Sequence, residues 1–232
     1  MERRIGFYEK YLKRAIDIAC ALAAIIVFWW LYLIVAVLVR INLGSPVLFQ
    51  QMRPGRNEKI FRMYKFRTMT DARDEKGNLL PDEARLTKFG KWLRGTSMDE
   101  LPEVINILNG TMSVIGPRPQ LVRDMTFMTP QQRMRHTARP GLSGLAQVNG
   151  RNAIDWEEKL YWDLEYIKNV TFWGDIKIIL KTVQKVFFKQ EGITQEGEAT
   201  AEDFGDYLLR VGKVTQEEYD RKMQEARELL EV

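Results

Sequence analysis

The chain has 232 residues, of which 45% are hydrophobic and 28% are charged, a composition that excludes disordered, collagen-like and repeat-built proteins. Its one cysteine, Cys20, excludes an internal disulfide framework and a cysteine metal cluster, and its one histidine, His136, excludes a two-histidine metal site. The net charge of +4 is uneven: residues 1–190 carry +11 and the residues after Gln190 carry −7. The first four-fifths of the chain is therefore expected to bind phosphate, nucleic acid or anionic lipid.

The N-terminal segment is predicted to enter a membrane. Residues 1–14 are basic with interleaved apolar residues, which indicates an interfacial helix. From Ile18 to Val39 no residue is charged over 22 positions, and a helix of that length spans ~33 Å, enough for a bilayer core of ~30 Å. The alternative is a core helix, which is hard to bury in so small a domain. Basic residues flank the run on both sides, which fits a re-entrant insertion from the cytoplasmic side at least as well as a full crossing. Residues 1–44 are interpreted as re-entrant, and a spanning helix stays the alternative.

Residues 45–190 are predicted to form a small mixed α/β domain, which places the chain in the α+β class. A hairpin of short strands is expected around the turn Arg53–Arg56, and Thr70–Pro81 is expected to be an exposed loop. The stretch 113–153, rich in Gly, Pro and Arg, is expected to form loops around a site. The predicted strands are Val47–Gln51 and Ile60–Phe66, and the predicted helices are Glu83–Leu93, Glu103–Leu108, Asp155–Ile167 and Gly174–Lys189.

The helix predicted at Gly174–Lys189 is amphipathic, with lysines on one face and apolar residues on another. It could lie on anionic headgroups, or it could pack on the domain with its lysines solvated. The lysines are Lys177, Lys181, Lys185 and Lys189.

Residues 191–232 are interpreted as a separate acidic, helical extension. Thr200 and Thr215 have the spacing of helix N-caps, and the second predicted helix runs to about Glu231. Self-association to a homo-oligomer is one role that such an extension could have.

Asp99 and Glu100 are adjacent carboxylates near a predicted helix start. Pro102 fits a helix only within its first turn, which places both acids at the N-terminus of the helix that begins near Glu103. The helix dipole there favours ionised carboxylates. The alternative is plain capping, because Ser97-x-x-Glu100 has the spacing of a capping box, and for this pair alone capping is the better interpretation.

Three arginines, Arg53, Arg118 and Arg139, directly precede prolines. Proline holds the preceding residue extended, which lowers the entropy lost when a guanidinium binds a phosphate. Lys65 and Arg67 would share one face of the second strand and could form a cationic floor for a diphosphate. The alternatives are solvated turns and a solvated strand edge.

A glycine-rich segment begins at Gly141 and contains Gln147, Asn149 and Arg151. Glycine turns with amide and arginine side chains suit a nucleotide or a sugar. The alternative is a purely structural cluster of turns. His136 is given no catalytic role.

Together these stretches resemble the small monotopic phosphoglycosyl transferases of the bacterial sugar transferase family, from about Tyr11 to about Thr200. Each stretch alone is weakly specific, whereas their order and spacing are highly specific. The stretches are Lys13-Arg14-x-x-Asp17, Arg53-Pro54-Gly55, Tyr64-Lys65-Phe66-Arg67-Thr68-Met69, Asp99-Glu100-Leu101, Gly116-Pro117-Arg118-Pro119, Arg139-Pro140-Gly141 and Gln147-Val148-Asn149-Gly150-Arg151.

The resemblance implies an enzyme of the bacterial inner membrane that initiates the assembly of a glycan such as an exopolysaccharide. It would transfer sugar 1-phosphate from a UDP-sugar to a polyprenyl phosphate such as undecaprenyl phosphate, at the cytoplasmic face, and release UMP. Asp99 would be the nucleophile that forms a phosphosugar-aspartyl intermediate, and Asp99 and Glu100 would hold Mg²⁺. Lys65, Arg94 and Arg118 would contact the phosphates or the nucleotide.

One feature departs from the family. Its membrane helix usually breaks at a serine-proline pair, whereas this chain has Trp29-Trp30 there and no proline between Ala15 and Pro46, so a break would need another cause. Two other functions stay open: a membrane-bound phosphohydrolase that uses the same acids and cations, and a non-catalytic basic membrane adaptor. Nucleic-acid binding is not expected, because lipid and phosphate already account for the basic and aromatic residues.

Overall fold

A computed structural model describes residue 3 and residues 5–150, 154–188 and 202–231, the side chains of 186–188 excepted. The mixture of helices with two small sheets confirms the α+β class. The helices are α1 (Lys13–Leu43), α2 (Asp82–Arg85), α3 (Lys88–Gly95), α4 (Glu103–Leu108), α5 (Val122–Phe127), α6 (Pro130–Arg133), α7 (Leu145–Asn149), α8 (Trp156–Lys168), α9 (Phe172–Phe188), α10 (Phe204–Arg210) and α11 (Gln216–Glu231), and the strands are β1 (Leu48–Pro54), β2 (Ile60–Phe66), β3 (Ser113–Ile115) and β4 (Gly141–Ser143).

The long apolar helix predicted near the N-terminus is present. A π-helical turn, Tyr8–Leu12, leads into α1, and this helical segment is long and apolar enough to cross a membrane. Only 11% of its most apolar 18-residue window is buried, which does not support the alternative of a core helix. The helix continues through Trp29 and Trp30 without interruption, so the re-entrant insertion stays a prediction.

Both ends of α1 are fixed to the rest of the protein. Near its start, an oxygen of Asp17 accepts hydrogen bonds from the Ser113 hydroxyl (2.9 Å) and from the backbone N–H of Val114 (2.9 Å). Near its end, Val35, Val39 and Leu43 are buried in a cluster that also contains residues of β2 and α3. The side of the helix that faces away from these contacts is apolar and exposed.

The predicted hairpin is confirmed, but its first strand is longer than expected. β1 and β2 pair antiparallel, with Leu48 opposite Phe66 and Pro54 opposite Ile60. Arg53 and Pro54, which were predicted in the turn, are therefore the last residues of β1. The turn lies at residues 55–59, where Asn57 has a φ of 55°. The following loop, 70–81, is mostly exposed, as expected.

The single helix predicted at Glu83–Leu93 is wrong, because the chain forms α2 and α3 with an extended link between them. The Thr87 hydroxyl caps α3 by accepting the N–H of Gly90 at 3.0 Å. Gly90 packs directly on the Thr68 carbonyl, where a Cβ would lie 1.8 Å from the oxygen. This close contact holds α3 against the chain that follows β2. The helices predicted at Glu103–Leu108, Asp155–Ile167 and Gly174–Lys189 are confirmed as α4, α8 and α9, and Lys189 lies outside the described residues.

The stretch 113–153 is more ordered than the expected loops. β3 and β4 form a short parallel pair, with Ser113 opposite Gly141, and α5, α6 and α7 also lie in it. Thr129 and Gln132 form a reciprocal capping box around Pro130 at the start of α6. The loop that carries Arg118 therefore connects β3 to α5.

The C-terminal helices pack on the domain. Phe204 and Leu208 of α10 are buried against Phe127 of α5 and Trp156 of α8. Thr215 caps α11, as its spacing predicted, by accepting the N–H of Glu218. Thr200, the other predicted cap, lies outside the described residues.

Candidate active site

Asp99 and Glu100 lie in a 3₁₀ turn, Met98–Glu100, between α3 and α4. Ser97 has a φ of 56° and its side chain caps nothing, so the capping-box interpretation of Ser97-x-x-Glu100 is wrong. The Glu100 side chain instead turns towards basic residues on other elements. The pair therefore needs an explanation other than helix capping.

Glu100 binds two basic side chains that are far from it in sequence. Its Oε1 accepts hydrogen bonds from Lys65 Nζ of β2 and from Arg118 Nη2, each at 2.7 Å. Burial would raise the pKa of Glu100, but Arg118 and Lys65 lower it more strongly, so that the pKa lies below its ordinary value. Lys65 Nζ is also 3.2 Å from Glu103 Oε1 at the start of α4. We call Asp99, Glu100 and Glu103 the acidic cluster.

Asp99 differs from its neighbour in having no hydrogen-bond or ion-pair partner in the part of the chain that the structure describes. Its side chain is 7% exposed, and within the described residues its carboxylate makes no hydrogen bond and no ion pair. Burial and the adjacent Glu100 raise the pKa of Asp99 to about 6, although Lys65 and Arg94 oppose this rise. A buried carboxylate without a hydrogen-bond donor is costly to keep ionised. Such a group is expected where function needs a reactive or ligand-binding oxygen.

Arg94 and Arg118 reach the acidic cluster in different ways. Arg94, on α3, donates through Nε to the Thr68 hydroxyl at 3.0 Å, and Asp99 opposes the lowering of the Arg94 pKa that burial causes. The Arg118 side chain is 43% exposed while it binds Glu100. Arg118 therefore contacts the acidic cluster while part of its side chain is open to solution.

Two of the predicted substrate-binding residues, Arg67 and Gln147, donate hydrogen bonds to backbone carbonyls. Arg67 donates to the carbonyls of Ser45 (2.7 Å) and Met69 (2.8 Å), so the expected floor of Lys65 and Arg67 is not formed. Gln147 donates to the Leu142 carbonyl at 3.1 Å. These side chains stabilise loops because the loop carbonyls lack partners in regular structure.

The remaining predicted residues lie away from the acidic cluster or outside the described chain. Arg139 donates through Nε to the Gly110 carbonyl at 3.0 Å, beyond the C-terminal end of α4. Asn149 ends α7 and makes no hydrogen bond through its side chain within the described residues. Arg151 lies outside the described residues. Of the three arginines that precede prolines, Arg118 alone bonds to the acidic cluster in the described part of the chain, because Arg53 donates to the Pro119 carbonyl.

Comparison with known proteins identifies the family of this chain. Residues 8–189 match the model described as bacterial sugar transferase. EpsL, an uncharacterized sugar transferase of Bacillus subtilis, is 49% identical over 193 residues, which cover 83% of this chain and 95% of EpsL. The chain belongs to the bacterial sugar transferase family.

Longer relatives of this sugar transferase have names that state a reaction. The undecaprenyl-phosphate galactose phosphotransferase of Salmonella typhimurium is 35% identical over 79% of this chain. The UDP-glucose:undecaprenyl-phosphate glucose-1-phosphate transferase of Escherichia coli is 37% identical over 77% of this chain. The matched regions are 42% and 41% of those two proteins, so this chain spans about two-fifths of their length.

Sequence reasoning missed Glu103 as a member of the acidic cluster. It is 3% exposed, and burial raises its pKa to about 7 against the lowering effect of Lys65. Its position one residue after Pro102 indicated only an ordinary helix start. The signal that could have found it is the spacing of three acids over five residues, of which Glu100 and Glu103 both contact Lys65.

The transferase also contains a buried ion pair that holds Arg118 in place. Arg135 donates to Asp163 Oδ2 through Nε (2.9 Å) and Nη2 (2.6 Å), and its Nη2 also donates to the Arg118 carbonyl (2.5 Å). The side chains of Arg135 and Asp163 are 1% and 2% exposed. No local pattern predicts this pair, because its members are 28 residues apart in sequence.

We expect Asp163→Asn to destabilise the transferase by ~3–5 kcal/mol, because the change leaves Arg135 buried without its counter-charge. In the double variant Arg135→Met/Asp163→Leu, apolar packing should recover much of the stability, whereas turnover should stay low because the Arg118 carbonyl still lacks its donor. Urea unfolding and steady-state kinetics measure the two effects. Turnover that recovers together with stability would show that the pair is structural only.

Proposed function

We propose that this transferase moves sugar 1-phosphate from a UDP-sugar to a polyprenyl phosphate, such as undecaprenyl phosphate, in the first step of glycan assembly. The printed activities of the Salmonella and Escherichia coli relatives support this substrate pair. The observation that carries the proposal is the carboxylate of the largely buried Asp99, which has no hydrogen-bond or ion-pair partner among the described residues while Lys65 and Arg94 act on it electrostatically.

The reaction is proposed to occur in two displacements. An Asp99 oxygen attacks the β-phosphorus of the UDP-sugar, the bond from that phosphorus to the bridging oxygen breaks, and UMP leaves with that oxygen. A phosphate oxygen of the polyprenyl phosphate then attacks the same phosphorus. The bond to Asp99 breaks, which regenerates the carboxylate and gives polyprenyl diphosphate sugar. A covalent intermediate divides one difficult exchange into two easier ones.

The cations beside the acidic cluster are proposed to bind the phosphates. The Arg118 side chain is partly exposed and, within the described residues, uses only Nη2 to bind Glu100, and a planar guanidinium suits two phosphate oxygens. Lys65 and Arg118 keep Glu100 ionised, so that Glu100 in turn fixes both cations before substrate arrives. Such preorganised charge stabilises the negative charge that is spread over the transferring group.

Mg²⁺ is the proposed cofactor, and the available donors fit it. The described residues contain no group of three or more His, Cys, Asp or Glu placed to hold a metal ion, and Mg²⁺ needs only one or two carboxylates together with substrate phosphates and water. Asp99 would hold the ion, and Glu100 would offer Oε2, since its Oε1 already accepts from Lys65 and Arg118. When bound, Mg²⁺ would neutralise charge on the diphosphate.

We also propose that α1 is a re-entrant anchor in the bacterial inner membrane, with the catalytic residues on the cytoplasmic face. The contacts at both ends of the helix support this. Asp17 at one end and Val39 at the other pack against the same domain, whereas a full crossing would leave the two ends on opposite sides of the bilayer. The oligomeric state stays a prediction.

The release of UMP tests the proposed function. With polyprenyl phosphate present, a panel of UDP-sugars should include one donor from which the full-length protein releases UMP continuously. Without the acceptor, we expect at most one UMP per chain. Continuous release without acceptor would instead identify a phosphohydrolase, and no release under either condition would favour the membrane adaptor.

A further inference from the structure

Three arginines lie together at the end of α4 that is remote from Glu103. Arg14 donates to two carbonyls at the end of this helix, at 2.5 and 2.8 Å. Arg139 donates through Nε to the Gly110 carbonyl just beyond the helix, and the Arg14 guanidinium lies 3.4 Å from where a Cβ of Gly110 would be. Arg56 acts electrostatically on Arg139. We call Arg14, Arg56 and Arg139 the arginine cluster, and α4 separates it from Glu103 by ~9 Å.

The arginine cluster is a concentration of like charge. Burial and then the charges of Arg56 and Arg14 lower the pKa of Arg139. No carboxylate among the described residues is within ion-pair distance of any of the three side chains. Repulsion between partly buried cations is unfavourable unless an anion compensates it.

Two acids act on Arg139 from longer range, and neither is within ion-pair distance of it among the described contacts. Glu9 forms an ion pair with Arg3. One oxygen of Asp17 accepts from the Ser113 hydroxyl and from the next backbone N–H. The other oxygen of Asp17 is buried without a hydrogen-bond partner in the described part of the chain. Neither acid forms an ion pair with the arginine cluster among the described residues, so neither is its direct counter-ion.

The arginine cluster also has more N–H donors than its hydrogen bonds within the protein use. Arg56 Nε is buried without a hydrogen-bond partner, and Arg139 engages only Nε within the described residues, which leaves Nη1 and Nη2 for another acceptor. Arg14 alone caps the end of α4. Capping thus accounts for one of the three arginines, and the other two present guanidinium groups of the kind that bind phosphate.

The position of the cluster indicates which phosphate it would meet. Arg14 lies in the first turn of α1, one helical turn before Ile18, where the charge-free run begins. The cluster is therefore at the level at which an apolar helix enters lipid. We propose that the arginine cluster binds the phosphate group of a lipid, at a site separate from the acidic cluster.

The lipid phosphate could come from two sources. One is the headgroup of an anionic phospholipid, which would fix the depth of the enzyme in the bilayer. The other is the polyprenyl phosphate acceptor, and this source depends on the function proposed above. The chemistry of recognition is the same for both, so the experiment must separate them.

Vesicle binding of the full-length protein separates the sources without any turnover. The wild type, Arg56→Gln, Arg139→Gln and the double variant are compared on three kinds of vesicle: phosphatidylcholine alone, with added phosphatidylglycerol, and with added undecaprenyl phosphate. Arg62→Gln is the control, because Arg62 is exposed on β2 and its side chain makes no ion pair within the described residues. At about fivefold for each arginine near a membrane surface, we expect the double variant to bind anionic vesicles about 25-fold more weakly.

Each pattern of results decides the proposal. Weaker binding to both anionic vesicles supports a general site for lipid phosphate, and weaker binding to the undecaprenyl phosphate vesicles alone supports an acceptor site. Unchanged binding to both anionic vesicles overturns the proposal. Equal loss on all three vesicles also overturns it, because the variants have then lost apolar contact or fold. Arg139→Lys, which keeps the charge, should retain most of the binding.

Discussion

Asp99→Asn should abolish turnover, with kcat lower by at least ~10³-fold, while the protein stays folded. The substitution keeps the shape of the side chain but removes the oxygen nucleophile, and removing a covalent nucleophile typically costs more than any binding contact. UMP release with donor and acceptor measures the loss. Glu83→Gln is the matched control, because Glu83 is an exposed acid on α2 without an ion pair in the described chain.

Asp99→Asn should also raise the stability of the folded protein. This result would distinguish loss of the nucleophile from damage to the fold as the cause of lost activity. The Asp99 pKa of about 6 lies above the ordinary value of 3.8, so the folded state disfavours the charged form, and stability from this group falls as the pH rises from about 4 to about 6. An amide at position 99 removes that cost. We expect the melting temperature of Asp99→Asn at pH 7.5 to equal or exceed that of the wild type. A lower melting temperature together with lost activity would contradict this account.

Arg118→Gln should lower kcat/KM by about 10²–10³-fold, the usual effect of removing one preorganised donor from a developing charge. The change removes a phosphate donor and also leaves buried Glu100 with Lys65 as its remaining partner in the acidic cluster. Because the Arg118 side chain is 43% exposed, we expect little loss of stability. Steady-state kinetics and thermal unfolding measure the two effects.

Arg118→Lys is the informative companion of this variant. It keeps the charge but not the planar fork, so its activity should lie between those of the wild type and of Arg118→Gln. Arg62→Gln controls for the loss of one positive charge from the surface. If Arg118→Gln were as active as Arg62→Gln, Arg118 would have no part in the chemistry.

Much of the fold follows from local sequence patterns. The hairpin, α4, α8 and α9 were predictable because periodicity and turn residues act over a few positions. The separation of α2 from α3 at Thr87 was not, because it depends on Gly90 packing against Thr68 from a distant segment. The three-residue strands β3 and β4 were missed for the same reason, since each is too short to show a period and is defined only by its pairing.

The residues of the candidate site could be predicted where the chemistry of a side chain allows few roles. Lys65, Glu100 and Arg118 were each selected from the sequence, and the structure brings them within hydrogen-bond distance. Arg67 shows the limit of such reasoning. Its guanidinium can satisfy backbone carbonyls as well as phosphates, and only the course of the loops decides between them.

The contacts that hold the site residues in position could not be predicted from the sequence. Asp163 and Arg135 look like ordinary charged residues in sequence, yet they form a buried pair that reaches the Arg118 carbonyl. That the Asp99 carboxylate has no partner among the described residues is likewise visible only once the surrounding elements are packed. The sequence identifies the groups that can react. The tertiary structure determines which of them are positioned to do so.

Intact-mass analysis after exposure to UDP-sugars alone tests the central claim most directly. We predict that one donor adds the mass of one sugar phosphate to the wild type, that peptide mapping places it on Asp99, and that polyprenyl phosphate removes it. Asp99→Asn should gain no mass. Continuous turnover to polyprenyl diphosphate sugar without any such adduct, or an adduct that forms equally on Asp99→Asn, would contradict the account.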